Sequence, residues 1–184
     1  MRKRINPIEI SEMELRESIG KLNTIEDWNN ISKKKLLIEV IDRYKDKLNW
    51  YQLVRHNKFT IDQINKYLNC FDIQDLVHYQ KLTEKFIFDN VITKYKGYNL
   101  YTIMDIVFKY QKLSEKFIID YIENYNDNEN IWHSICFFQK LSLEFIEKYK
   151  DRIKWTMIIK NMKFTEEFIL SHKDYFRSES LFAY

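Results

Sequence analysis

With 184 residues, 45% of them hydrophobic and 16% aromatic, the chain has ample material for a core and is no disordered segment. Two glycines and one proline argue against hairpin-rich β structure and against glycine-rich phosphate loops. A net charge of +3 is far from the basic footprint of a dedicated nucleic-acid binder, while two cysteines, Cys70 and Cys136, are too few for a disulfide framework and fit a reducing compartment.

The chain opens on Met1-Arg-Lys-Arg-Ile-Asn-Pro7, which is basic but leads into Glu9, Glu12, Glu14 and Glu17, where a secretion signal would need an apolar run. No stretch approaches 18 uncharged apolar residues, so no membrane span is expected and the chain reads as cytoplasmic. Residues 1–35 are the least repetitive and are expected to form N-terminal capping helices. Ser11 can cap a helix carrying Met13, Leu15, Ile19 and Leu22, with Glu14, Arg16 and Glu17 outside. Trp28 and Ile31 resemble a short helix of the following repeat in slightly shifted register.

Residues 36–184 read as a helical repeat array within a single domain. Aligned on Leu37, Thr60, Thr83, Ser114, Ser142 and Thr165, six copies are separated by 23, 23, 31, 28 and 23 residues, so the unit is about 23 residues long. Counting that position as zero, Ser or Thr there predicts a helix N-cap in five copies. Minus one is Leu36, Phe59, Leu82, Leu113, Leu141 and Phe164; plus four is Ile41, Ile64, Ile87, Ile118, Ile146 and Ile169. These two positions close a hydrophobic staple. Plus seven is Tyr44, Tyr67, Tyr121 and Tyr149 in four copies.

Upstream of each cap a second helical pattern recurs, as in Trp50/Leu53/Val54, Met104/Val107/Phe108 and Trp132/Ile135/Cys136. Each unit is therefore expected to be a longer helix, a turn, a shorter helix and a tight turn. Neither helix is long enough to stand alone, so the expected architecture is an all-α solenoid stabilised by stacking.

Two insertions interrupt the period. The first, near residues 92–103, is expected to be a loop carrying Tyr95, Lys96, Tyr98 and Tyr101, with Gly97 ending a helix; tyrosine supplies contact area at low entropy cost, which makes this a candidate partner-binding patch. The second, near 124–130, reads as a solvated turn. After Ile169 the last helix should run to about Phe176 and leave a truncated helix or tail.

Lysine recurs at minus two: Lys35, Lys58, Lys81, Lys112, Lys140 and Lys163. With Tyr79, Tyr110 and the neighbouring Gln80, Gln111 and Gln139, this ladder could follow a nucleic-acid strand. A purely structural role is also open. Each lysine follows a short helix, where its charge complements the helix dipole, and Glu39, Asp62, Glu84, Glu115, Glu144 and Glu166 offset it at the next N-terminus.

Catalytic, metal and cofactor sites are not expected. His56, His78, His133 and His172 occupy different repeat positions. His133 and Cys136 are three apart on one helix, but Cys136 stands where sister copies hold Val, Phe or Ile. His133 with Glu129, or His78 with Asp75, lacks the ligand count of a zinc site.

The unit Gln111-Lys-Leu-Ser-Glu-Lys-Phe-Ile118 resembles short helical repeats of uncharacterised proteins from large DNA viruses, phages and low-GC bacteria, over roughly Leu36–Ile169. The resemblance implies a viral or phage origin, residence in the host cytoplasm and a binding role. The expected function is a non-catalytic protein-interaction module that binds and inhibits a host defence factor. A nucleic-acid-binding repeat protein using the lysine edge is the alternative, and a self-assembling structural protein the third reading.

Overall fold

The computed structural model describes residues 24–125 and 129–180, with side chains to residue 176. The helix of Met13–Leu22 and its polar face, and residues 126–128 of the second insertion, lie outside that range. The described chain is all-α: thirteen α-helices, one 3-10 turn at Leu68–Cys70 and one π-helix at Phe88–Ile92, with no strand among the described residues. Contacts divide it into two compact units, one ending at Leu82 and the other beginning at Thr83.

The N-terminal unit holds α1 (Ile25–Ser32), α2 (Ile38–Tyr44), α3 (Trp50–His56), α4 (Ile61–Lys66) and α5 (Ile73–Tyr79). The C-terminal unit holds α6 (Glu84–Ile87), which continues into the π-helix, then α7 (Gly97–Tyr110), α8 (Glu115–Asn124), α9 (Glu129–Phe138), α10 (Leu143–Lys148), α11 (Trp155–Asn161), α12 (Glu166–Ser171) and α13 (Lys173–Ser180). Helices that precede the repeat's cap position pack side by side, α1, α3 and α5 in one unit and α7, α9 and α11 in the other, where the terminal α13 packs on α11.

Local chemistry accounts for the helix starts. Thr60, Thr83, Ser114, Ser142 and Thr165 each accept from the N–H three residues on, at 3.1–3.3 Å, and Gln63 completes a capping box by accepting from Thr60 N at 2.9 Å. Leu37 makes no side-chain cap. The plus-four isoleucine is buried in five copies. Ile169 is the exception at 38% exposure, because α12 buries none of its residues.

Helices after the caps are not the longer ones. The six residues of α4, α10 and α12 compare with seven, ten and seven in the preceding α3, α9 and α11. Plus seven is where these helices stop: Tyr67, Tyr149 and His172 are their C-caps. Each ring turns onto the tryptophan of the preceding helix, Tyr67 on Trp50 at 5.1 Å, Tyr149 on Trp132 at 5.4 Å and His172 on Trp155 at 5.7 Å. Such aromatic pairs contribute about 0.5–1.5 kcal/mol beyond area burial.

Polar ties then join successive copies. At minus three, Gln80 accepts from Phe59 N at 3.0 Å and donates to Asn57 O at 2.8 Å and to Val54 O. Gln139 repeats this on Leu113 N, Gln111 O and Phe108 O, and the shorter Asn57 on Leu36 N and Lys34 O. Gln80 and Gln111 are buried, so they take no part in an exposed edge. The acids of the N-terminal turns serve the same purpose: Glu84 accepts from Ser114 N at 2.5 Å, and Glu115 from Ser142 N and, at 2.9 Å, Ser142 Oγ.

Candidate partner-binding groove

Farther along the post-cap helices, a carboxylate near the end of one helix meets the plus-six and plus-seven side chains of the next. Asp42 accepts from Lys66 and Tyr67. Glu123 accepts from Lys148 at 2.9 Å and Tyr149 at 2.8 Å, and Glu147 meets His172 Nε2 at 2.6 Å. The bonds from Lys66 and Lys148 hold Asp42 and Glu123 below the ordinary carboxylate range, and Glu147 is lowered first by its i,i+3 neighbour Lys150 and then by His172.

Between α6 with its π-helix and α8, plus six is Asp89 on one helix and Asp120 on the other. Two acids make no latch, and each pairs instead with a lysine of its own helix, Lys85–Asp89 and Lys116–Asp120, both at 2.8 Å. A cleft of about 360 Å³ opens there. Phe88, Ile92, Phe117, Tyr121 and Tyr125 supply its apolar lining, and Glu84, Lys85, Asp89, Lys116 and Asp120 its charged side chains. Phe88 is 41% and Tyr125 46% exposed, with ring centroids 6.3 Å apart. Contacts advance together along both walls, Glu84 with Ser114 and then Phe88 with Tyr125, so the two helices run in the same sense.

The π-helix belongs to this groove. Its wide turn is closed by Thr93 N to Phe88 O at 3.1 Å, and its exposed Phe88 and buried Ile92 both line the cleft. Such turns lie frequently at functional sites.

Only half of the tyrosine patch is a loop: Tyr95 and Lys96 lie in the connection, Tyr98 and Tyr101 on α7. Gly97, whose φ is +58°, is the first residue of α7 and ends no helix; the insertion lengthens α7 at its N-terminus and leaves only residues 93–96 as connection. Gly can hold that left-handed φ without strain. Tyr98 is 80% exposed, Lys96 is exposed, and Tyr95 and Tyr101 are half-buried. None of these four lines the groove.

Every lysine of the ladder is exposed. Lys58 donates to Tyr79 O, the last carbonyl of α5, at 2.9 Å, so it meets the helix end of the next copy rather than that of α3, the helix it follows. Arg55 lies over the Tyr79 ring at 5.1 Å and Lys109 over the Tyr110 ring at 5.6 Å. Lys35, Lys58 and Lys81 belong to the N-terminal unit, and Lys112, Lys140 and Lys163 to the C-terminal one.

His133 is exposed and stacks on Phe137, whereas Cys136 is buried and accepts from Lys154 N at 3.4 Å. Burial pushes its thiol up to about 11, so it is no thiolate at neutral pH. Among the described residues no cluster of His, Cys, Asp and Glu could hold a metal ion, and no helix is long and apolar enough to cross a membrane.

The groove residues were missed although the sequence marks them. Plus two is acidic in four copies, Glu39, Asp62, Glu144 and Glu167, but is Lys85 and Lys116 in the two that flank the groove. Plus six is basic in Arg43, Lys66 and Lys148 but Asp89 and Asp120 in those same two. Lysine ahead of aspartate opposes the helix dipole and is the weaker order for an i,i+4 pair, so helix stability does not account for the swap. No protein-family model, curated protein or solved structure matches the chain.

Proposed function

We propose that this chain is a non-catalytic protein-interaction module, an α-solenoid of six copies whose partner seats in the groove between α6 and α8. The observation that carries this reading is the coincidence of a lost latch, a π-turn and a charge swap at one apolar cleft. The partner is a protein, and the resemblance to viral and phage repeats adds a host defence factor as its identity. Nucleic-acid binding along the lysines is the competing reading, supported by their exposure. Self-association through the last copy is a third, supported by Ile169 and Leu170, the latter 64% exposed.

The test uses three baits in one lysate, each with and without nuclease: the wild type, a groove variant Phe88→Ser/Tyr125→Ser, and a ladder variant Lys112→Glu/Lys140→Glu/Lys163→Glu. The expected result is a protein retained after nuclease by the wild type and the ladder variant and lost from the groove variant. Nucleic acid retained by the wild type and the groove variant, and lost only from the ladder variant, would overturn this reading.

A further inference from the structure

We infer that the groove takes an amphipathic helix carrying acidic side chains at one end of its apolar stripe and basic side chains at the other. This rests on the reading of the groove as a protein-binding surface and specifies the occupant. Both walls are helices running the same way, and they offer side-chain surface with no sheet edge to pair with. A third helix laid along them supplies what the missing latch leaves open, since apolar anchors spaced i, i+3, i+4 and i+7 reach one groove from one face. Phe88 and Tyr125, both exposed, and half-buried Phe117 are the surface those anchors meet, over a floor of buried Tyr121.

Charge decides the rest of the occupant's chemistry. Lys85 and Lys116 occupy the N-terminal end of the groove, and Asp89 and Asp120 lie one turn farther on. Glu84 is also at the lysine end, where its Oε1 accepts from Ser114 N–H and its negative charge offsets part of the two lysines', leaving that end net positive by one charge. Both lysine side chains are 85% exposed, so their own i,i+4 pairs are weak and solvent-screened. They remain available to a partner's acids, as the aspartates do to its bases. A uniformly acidic helix meets repulsion at one end, and a uniformly basic helix at the other. Rim charges of this kind select among partners more than they add affinity.

Three labelled synthetic helices with one shared Leu/Phe stripe test this by fluorescence anisotropy: one acidic at one end and basic at the other, one acidic at both ends, one basic at both. The wild type is expected to bind the first about tenfold more tightly than either of the others. The variant Lys85→Glu/Lys116→Glu restores the acid that sister copies carry at plus two, at exposed sites, and is expected to move the first rank to the all-basic helix. Equal binding of the three, or an unchanged order on the variant, would overturn the charge rule and leave the groove as an interaction surface. Failure of every helix to bind would overturn the helical occupant. Protein capture that survives Phe88→Ser/Tyr125→Ser is a separate failure, that of the groove reading itself.

Discussion

Replacing Gln80 by Met, the type that the last copy carries as Met162 at the same repeat position, removes the carboxamide and keeps the reach of the side chain. That carboxamide serves Phe59 N, Asn57 O and Val54 O. Val54 is in the last turn of α3, whose final carbonyls have no partner inside the helix. Phe59, Asn57 and Val54 are all buried, so water does not take over the lost bonds. A hydrogen bond contributes about 0.5–1.5 kcal/mol net, and a stranded buried group costs about 1–3 kcal/mol. Three contacts on one side chain, partly offset because Met needs no partner of its own, put the loss at about 2–4 kcal/mol. With an m-value of about 1–3 kcal/mol/M, urea unfolding followed by far-UV circular dichroism resolves it. Gln80→Glu sharpens the test, since it keeps the acceptor for Phe59 N–H but turns the donor toward two carbonyls into a carboxylate. Its folded pKa is raised above the unfolded value, so the added destabilisation appears as pH rises through that range and is relieved in acid. A Gln80→Met midpoint whose shift corresponds to less than about 0.5 kcal/mol would refute the clamp as a source of stability.

Three further outcomes follow from the packing and the charges. Ile118→Ala should cost about 2–5 kcal/mol as a fully buried large-to-small change, whereas Ile169→Ala, at the same repeat position but exposed, should cost under about 1 kcal/mol; equal losses in urea titrations would contradict the burial pattern. A thiol reagent should label exposed Cys70 in the native protein and reach buried Cys136 only on denaturation. Asp42, Glu123 and Glu147 are held below the ordinary carboxylate range, so their bonds to Lys66, Lys148, Lys150 and His172 contribute fully above about pH 4, the unfolded value, and are lost as pH falls through the lower folded values. The melting temperature should therefore hold steady from about pH 8 to 5 and drop in stronger acid, and the triple variant Asp42→Asn/Glu123→Gln/Glu147→Gln should flatten that drop.

Much of the helical layout was legible because caps are local. Thr60, Thr83, Ser114, Ser142 and Thr165 bond to an N–H three residues away, and no distant group has a say in that. The tryptophan and plus-seven positions were visible as a pattern, but their pairing was not. Tyr67 reads as one more residue of an apolar stripe until Trp50 is beside it, and so α4, α10 and α12 were expected to run too long. Gln80 and Gln139 read as exposed polar neighbours of the lysines because the carbonyls they serve lie 23–31 residues earlier.

Sequence by itself determined an all-α chain with caps at five repeat positions, an isoleucine at plus four of every copy, and a charge order reversed in two copies. Tertiary structure alone decided that those two copies face each other across an open groove. A swapped Lys85–Asp89 or Lys116–Asp120 pair satisfies itself within one helix, and only when both line one cleft does the absence of a latch acquire a consequence. Helix starts are set by groups a few residues apart, whereas a groove depends on which side chains of separate helices fail to meet, and that depends on packing.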